Sequence, residues 1–230
     1  WEQVGAALDG EVAEDYFGES VALSDNGNVV AIGATGNDDN GSNSGQVRIF
    51  ELNSSTNTWE QVGADLDGEA ADDYFGTSVA LSADGNIVAI GATGNDDNGE
   101  DSGQVRIFER NSSTNAWEQV GAALDGEAAN DYFGDSVALS DDGDIVAIGA
   151  WGNDDNGEDS GQVRIFKRNL NDSWNQVGAA LDGEAANDYF GESVAFSADG
   201  NIVAIGAWGN DDNGEDSGQV RIFQRNSSTN

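Results

Sequence analysis

Short apolar blocks alternate with polar, glycine-rich turns along the whole chain. In the first repeat the blocks are "SVALS" (Ser20–Ser24), "VVAIGA" (Val29–Ala34), "QVRIF" (Gln46–Phe50) and "WEQVGA" (Trp59–Ala64). Each block is too short for a buried helix and is rich in β-branched residues, so each predicts a strand. "DNGN" separates the first two blocks, and Asn-Gly or Asp-Gly at such a place indicates a tight hairpin. No helical period appears, and we expect an all-β protein.

The same four blocks return in four consecutive copies. Copies of "WEQVGAALDG" start about 58 residues apart, and a fixed period of this size indicates a repeat architecture. Four antiparallel strands in sequence, which we call A, B, C and D, describe one blade of a β-propeller. We therefore predict one β-propeller domain over residues 1–230, with four near-identical four-stranded blades. The copies begin at Trp1, Trp59, Trp117 and Trp174.

The sequence starts in a D strand and stops after a C strand, which leaves one D strand to be supplied from elsewhere. We expect residues Trp1–Ala6 to pair with the strand around Val220–Phe223 and so remove two exposed sheet edges. Pairing within one chain would give a four-bladed ring. Pairing between two chains, a homo-oligomer formed by strand exchange, would give an eight-bladed ring.

The motif "YFGxSVALSxDGxxVAIGA" followed by "SGQVRIF" resembles the FG-GAP repeats of integrin α-subunit propellers and their bacterial and algal relatives. The resemblance covers all four copies. It implies an extracellular or cell-surface binding propeller, often calcium-loaded and without a catalytic role. The Phe-Gly pairs start at Phe17, Phe75, Phe133 and Phe190, and the Gly-Ala pairs at Gly33, Gly91, Gly149 and Gly206. From the residues alone, we expect these phenylalanines to fill the wedge between blades and these glycines to permit close backbone approach.

The charge and the missing residue types exclude several classes of function. The formal charge is −36, with only 8 Lys and Arg, which argues against binding nucleic acid or an anionic membrane. The chain has no His and no Cys, so the usual catalytic bases, thiolates and imidazole ligands are absent. It also has no Met, which we interpret as a processed chain, a fragment or an engineered excision. We expect a protein that is not an enzyme.

Acidic residues concentrate in the loops between strands B and C. "GNDDNGEDSG" interleaves carboxylates with Asn and Gly, and hard oxygen ligands of this kind suit Ca²⁺. The family's own calcium ligands cannot be transferred, because its site lies in the A–B hairpin, where this chain has only a short turn. The alternative is a solvated acidic loop closed by Asx turns. The candidate calcium ligands are Asp38, Asp39, Asp96, Asp97, Asp101, Asp154, Asp155, Asp159, Asp211, Asp212 and Asp216.

Two further sets of residues are candidate sites. Trp151 and Trp208 stand where the first two copies have Thr35 and Thr93, and an aromatic ring there either stacks on a sugar or caps the core. An N-x-[ST] sequence recurs in the C–D turn of each copy, where glycosylation acceptors belong unless the host does not use them. These asparagines are Asn53, Asn111, Asn171 and Asn226.

The sequence thus predicts a non-enzymatic extracellular binding or adhesion module whose acidic face binds calcium and a protein or glycan ligand. The alternative is a structural or engineered repeat scaffold whose copies serve ring or filament assembly. A bound ligand on the B–C face would favour the first, and assembly without a ligand would favour the second.

Overall fold

The computed structural model describes residues 1–226, which fold into 18 strands in four antiparallel sheets. None of the described residues lies in a helix that could cross a membrane. We call the sheets blades 1 to 4 in chain order. Blade 1 contains β1 (Val21–Leu23), β2 (Val29–Ala34), β3 (Gln46–Asn53), β4 (Thr58–Gln61) and β5 (Leu66–Asp67). Blade 2 contains β6 (Phe75–Leu81), β7 (Ile87–Ala92), β8 (Gln104–Arg110), β9 (Trp117–Gln119) and β10 (Leu124–Asp125). Blade 3 contains β11 (Ser136–Leu139), β12 (Ile145–Ala150), β13 (Gln162–Arg168), β14 (Trp174–Gln176) and β15 (Leu181–Asp182). Blade 4 contains β16 (Ser193–Phe196), β17 (Ile202–Ala207) and β18 (Gln219–Gln224).

The predicted blocks A, B and C are strands in all four blades, and block D forms strands in blades 1 to 3 with one difference from the prediction. In blade 1, strands β1, β2 and β3 follow one another antiparallel, and both β4 and β5 pair with β3. Strand D is therefore split in two. Gly63 lies at the break with a φ of +76°, a backbone conformation that glycine adopts without strain. The predicted four-stranded blade is thus a five-stranded sheet in blades 1 to 3.

The hydrophobic core lies between neighbouring blades. Phe75 of blade 2 is fully buried in one cluster with Val47 and Ile49 of blade 1. A Cβ added to Gly33 would lie 2.2 Å from the carbonyl oxygen of Gly76, so only glycine fits where blades 1 and 2 meet. The structural roles expected for the Phe-Gly and Gly-Ala pairs agree with these contacts. Each blade completes the core of its neighbour.

The expected pairing of residues 1–6 with β18 is not made within this chain. Residues 1–6 form no strand, and β18 is an edge of a three-stranded sheet. The first residues are held instead against blade 1, where Trp59 Nε1 donates a 3.0 Å hydrogen bond to the carbonyl oxygen of Val4. The described chain is therefore an open arc of four blades, and pairing between two chains stays a prediction.

Candidate ligand-binding face

The D–A and B–C loops lie together on one face of the arc, which we call the loop face. Tyr74 N, in a D–A loop, donates a 3.0 Å hydrogen bond to the carbonyl oxygen of Asn43, in a B–C loop. Asn43 Nδ2 also donates to Asp72 Oδ1 at 3.1 Å. These bonds join the B–C loop of blade 1 to the D–A loop that leads into blade 2. The acids of both loop types thus share one surface.

The first acid of every B–C loop closes its own loop. Asp96 Oδ1 accepts a 2.8 Å hydrogen bond from the backbone N–H of Asp101, an Asx-type closure five residues long. The second acid, Asp97, accepts from Gln104 Nε2 at 3.1 Å. The same two bonds recur in each blade at Asp38 and Asp39, Asp154 and Asp155, and Asp211 and Asp212.

The acidic side chains of these loops do not by themselves surround a metal ion. Among residues 1–226, no three acidic side chains converge as metal ligands would. The position where a calcium loop places its first acid is glycine, as in Gly36, and a Cβ there would lie 2.1 Å from the carbonyl oxygen of Glu14. Calcium binding by the predicted aspartates stays a prediction.

The third aspartate of the loop has a raised pKa in blades 2 and 3. Burial raises the pKa of Asp101, and the negative charges of Asp96, Glu100 and Asp72 raise it further. Asp159 has a raised pKa for the same reasons, with Asp154 and Glu158 as the neighbours. The loop face therefore concentrates negative charge that favours cations or hydrogen-bond donors.

Aromatic rings form a continuous ladder on the loop face of blades 3 and 4. Tyr132 stacks on Trp151 with ring centroids 4.6 Å apart and an interplanar angle of 8°. Tyr189 stacks on Trp208 in the same way, at 4.7 Å and 4°. Trp151 and Tyr189 connect the two pairs at 5.7 Å and 59°. We call these four side chains the aromatic ladder.

The backbone at each tyrosine holds the ring in place. Tyr132 and Tyr189 have φ values of +53° and +54°, which bulky residues rarely adopt. Gly152 follows Trp151, and a Cβ there would lie 2.2 Å from the carbonyl oxygen of Asn130 and 2.9 Å from the Tyr132 ring. The equivalent tyrosines of blades 1 and 2, Tyr16 and Tyr74, have the same φ of +54°, so this backbone belongs to every repeat. In blades 3 and 4 it places the tyrosine against a tryptophan.

A carboxyl pair lies beside the ladder. Burial raises the pKa of Asp135 to about 6, the charge of Glu192 raises it as well, and a hydrogen bond from Trp151 opposes the shift. In blade 1 the corresponding Glu19 accepts a hydrogen bond from Thr35. The residue at this position thus interacts with the side chain at the tryptophan position, and in blade 3 that side chain is Trp151.

The two predicted ligand-binding residues, Trp151 and Trp208, lie on the loop face. The two tyrosines of the ladder were not predicted. Trp208 is 52% exposed, so it is accessible to a ligand. Sequence reasoning singled out Trp151 and Trp208 because they differ from Thr35 and Thr93. It missed Tyr132 and Tyr189 because a tyrosine stands there in every copy, and only its contact with a tryptophan distinguishes it.

The arginine of "QVRIF" was also missed. Arg106 lies 4.1 Å from the centre of the Phe75 ring and donates a 2.6 Å hydrogen bond to the carbonyl oxygen of Asp67. Burial lowers its pKa, and the charge of Glu69 opposes that change. An arginine at the centre of an apolar block was the available signal, since a charge there needs a buried partner. Its role is to join blades.

The predicted glycosylation acceptors lie in the turns on the opposite face. Asn53 and Asn111 donate from their side-chain amides to Glu60 and Glu118 at 2.9 Å. Asn171 is exposed, and Asn226 is the last described residue. Their modification stays a prediction.

The FG-GAP repeat family matches residues 2–50, 64–108, 118–166 and 174–223. The chain belongs to this family. The four matches cover most of the chain, one in each copy of the repeat. The resemblance noted in the sequence is therefore confirmed. No curated protein matches the chain.

Solved structures with the same fold are distant in sequence. The periplasmic gluconolactonase of Pseudomonas aeruginosa is 14% identical with a TM-score of 0.60, covering 90% of this chain and 53% of that chain. The hydrazine synthase of Kuenenia stuttgartiensis is 10% identical with a TM-score of 0.56, covering 97% and 49%. Sqt1 of Saccharomyces cerevisiae is 11% identical with a TM-score of 0.54, covering 86% and 44%. These likenesses show a propeller fold. This FG-GAP chain spans about half the length of the chains that it matches.

Proposed function

We propose that this FG-GAP chain is a non-enzymatic extracellular binding module that holds a glycan on its loop face. The observation that carries the proposal is the aromatic ladder of Tyr132, Trp151, Tyr189 and Trp208. Aromatic rings give a binding site a large apolar surface, and a few polar groups around them fix the orientation of the ligand. A sugar has apolar faces for the rings and hydroxyl groups for the surrounding carboxylates. The extracellular location rests on the family resemblance.

The carboxyl pair beside the ladder supports binding better than catalysis. Two acids in unlike environments are the arrangement that acid–base catalysis uses. Asp135, however, already accepts a hydrogen bond from Trp151. Its equivalent in blade 2, Thr77, contacts Thr93 in the same way, at 3.2 Å between hydroxyl oxygens. The shared role of the position is to hold the side chain opposite, and this role needs no reaction.

A glycan-array screen followed by titration of the strongest ligand tests the proposal. Trp208→Ala is expected to weaken binding at least about tenfold, as loss of a central tryptophan does at other binding surfaces. Thr93→Ala is the matched control, because it changes the same position in blade 2, where no ladder exists. It is expected to leave the affinity unchanged.

Three results would contradict the proposal. One is that no glycan binds at any concentration, which would favour the alternative of a structural repeat scaffold. Another is that Trp208→Ala and Thr93→Ala weaken binding equally, which would place the glycan away from the ladder. The third is hydrolysis of a lactone or glycoside that Asp135→Asn abolishes, which would make the chain an enzyme.

A further inference from the structure

A cavity of about 290 Å³ lies at the open end of the arc, between blades 3 and 4. We call it the end cavity. Its wall is mostly apolar and comes from both blades. The wall includes Ile145, Ile165, Val177, Gly178, Phe196 and Phe223.

The repeat shows what occupies the same place between the other blades. In the cluster between blades 2 and 3, Trp174 packs with Ile107 and Phe166, the equivalents of Ile165 and Phe223. Trp117 packs in the same way in the cluster between blades 1 and 2. The cluster between blades 3 and 4 contains no tryptophan. The end cavity is therefore the position of a tryptophan that the described residues of this chain do not supply.

Each inner tryptophan also makes one hydrogen bond and one glycine contact. Trp117 Nε1 donates to the carbonyl oxygen of Val62 at 2.9 Å, and a Cβ on Gly63 would lie 2.8 Å from its ring. Trp174 and Val120 repeat the hydrogen bond at 2.9 Å. The equivalents at the end cavity are Val177 and Gly178, and a Cβ on Gly178 would meet no atom within 4 Å.

The missing side chain has a counterpart at the other end of the arc. Trp1 is fully exposed, and it opens the one copy of "WEQVGAALDG" that pairs with no strand among residues 1–226. We infer that Trp1 of a second copy of this chain fills the end cavity and donates its indole N–H to the carbonyl oxygen of Val177.

We call the contact between the end of one copy and the start of the other the joint. The strand pairing inside blade 1 predicts its register. Val47 pairs with Leu66, and Phe50 pairs with Gln61. The same register places Leu8 of the second copy opposite Val220, and Gln3 opposite Phe223. "QVRIF" is identical in all four copies, and residues 1–10 differ from the segments inside the chain only where those have Asp65 and Asn175.

The two ends of the chain also offer a matching hydrogen-bond donor and acceptor. Ser136 Oγ donates a 2.6 Å hydrogen bond to the carbonyl oxygen of Gly191 in the next blade, and Ser78 does the same with Gly134. Ser193, the equivalent in blade 4, has no such acceptor within the described chain. The joint would give it the carbonyl oxygen of Gly18 of the second copy. Apolar Val220 and Ile222, 66% and 70% exposed, would become buried as Val105 and Ile107 are.

A ring of two copies is the smallest closed assembly that this contact between two chains can form. The chain spans 53% and 49% of the propeller chains from Pseudomonas aeruginosa and Kuenenia stuttgartiensis. About half of each of those chains is therefore left for a second arc. A head-to-tail contact closes into a ring when the rotation allows it, and both ends of both chains are then covered.

Sedimentation of the 230-residue chain tests the ring. The expected mass is twice the 23.9 kDa of one chain. Trp1→Ala is expected to raise the dissociation constant of the dimer about a thousandfold, because each of the two joints weakens about thirtyfold on losing a central tryptophan. A mass of one chain at every concentration, or polymers that grow with concentration, would overturn the two-chain ring.

A matched pair of substitutions separates a blocked joint from a damaged fold. Ile222→Asp places a charge on the joint at a side chain that is exposed in the free arc, and Leu170→Asp makes the same change at an exposed turn outside it. Only Ile222→Asp is expected to give a single-chain mass, with an unchanged circular dichroism spectrum. Dissociation by both variants, or by neither, would contradict the joint.

Cross-linking tests the register and the identity of the partner. The chain has no cysteine, so Leu8→Cys with Val220→Cys introduces one defined pair of thiols. In the proposed register these two residues lie opposite each other on paired strands, close enough for a disulfide. Oxidation is expected to link two chains, and the shifted pair Leu8→Cys with Ile222→Cys is expected to react far more slowly. A disulfide within one chain would overturn the proposal in favour of a four-bladed ring, and equal reaction of the two pairs would overturn the register.

Discussion

Blade 2 and blade 4 carry nearly the same sequence but differ in burial. Val105 and Ile107 in β8 are 0% and 2% exposed, whereas Val220 and Ile222 in β18 are 66% and 70% exposed. Both strands are "QVRIF". The local sequence thus determines the strand, and the neighbouring blade determines whether its side chains are buried. In a repeat protein, stability resides largely in the interfaces between units.

The largest expected effect comes from placing one charge in each of the two strands. Val105→Asp leaves an unpaired carboxylate in a sealed interface and is expected to cost about 3–5 kcal/mol of unfolding free energy. Val220→Asp, at an exposed position, is expected to change it by less than about 0.5 kcal/mol in the monomeric chain. Urea denaturation at low protein concentration measures both. Similar losses at the two positions would show that β18 is covered in the single chain.

Glycine-to-alanine substitutions compare the same blades through the backbone. A Cβ on Gly91 would lie 1.9 Å from the carbonyl oxygen of Gly134, whereas the atom nearest to one on Gly206 is 3.5 Å away. Gly91→Ala is expected to destabilise the chain by about 1–3 kcal/mol through overpacking. Gly206→Ala is expected to be neutral or to stabilise by up to about 1 kcal/mol. Thermal melting of the two variants checks this. An unchanged melting temperature for Gly91→Ala would contradict the close approach of Gly91 to Gly134.

Asp135 in blade 3 makes the stability of the chain depend on pH, whereas its equivalent in blade 2, Thr77, does not titrate. The pKa of Asp135 is raised from 3.8 to about 6 by burial and by Glu192. The folded chain therefore binds this proton more tightly than the unfolded chain, and stability falls as the pH rises from about 4 to about 6.

Asp135→Asn is expected to remove this pH dependence. The gain above pH 7 should be about 1–2 kcal/mol, less than the roughly 3 kcal/mol of a two-unit shift in pKa, because water screens a partly exposed group. Urea denaturation at pH 4 and pH 7.5 measures it. An equal change in stability at both pH values would contradict the raised pKa.

Calcium has the smallest expected effect per site. A site with a dissociation constant of about 10⁻⁴ to 10⁻³ M would add roughly 0.4–1.4 kcal/mol at about 1 mM Ca²⁺. Blade 1 has Asn43 where the other three loops have Asp101, Asp159 and Asp216. If the loops bind calcium, Asp96→Asn should lose more of the Ca²⁺ stabilisation than Asp38→Asn. Melting with Ca²⁺ or chelator at matched ionic strength measures it, and no effect of Ca²⁺ beyond that of Na⁺ would end the calcium prediction.

The strands and the repeat were predictable because they depend on local pattern. "VVAIGA" predicts a strand and "DNGN" a hairpin from local sequence alone, and β2 has the predicted bounds, Val29–Ala34. The split of strand D at Gly63 was missed, because a glycine in an apolar block indicates a break only when its φ is known. The buried role of Arg106 depends on Phe75 and Asp67, which lie elsewhere in the sequence.

The candidate site was predictable only in part, for the same reason. Trp151 and Trp208 stood out as departures from the repeat, but the ladder arises from their stacking on Tyr132 and Tyr189. The acids of the B–C loops matched the chemistry of a calcium site. Their hydrogen bonds to backbone N–H groups within the loop, such as Asp96 to Asp101, depend on a turn geometry that composition does not reveal.

Amide hydrogen exchange in β8 and β18, followed as a function of protein concentration, tests most directly whether a neighbouring blade completes each unit. We predict that β8 is protected at every concentration. Protection of β18 and of residues 1–9 should be low in dilute solution and should rise together, towards that of β8, as two chains join. Protection of β18 that does not change with concentration, whether low or high, would contradict the account.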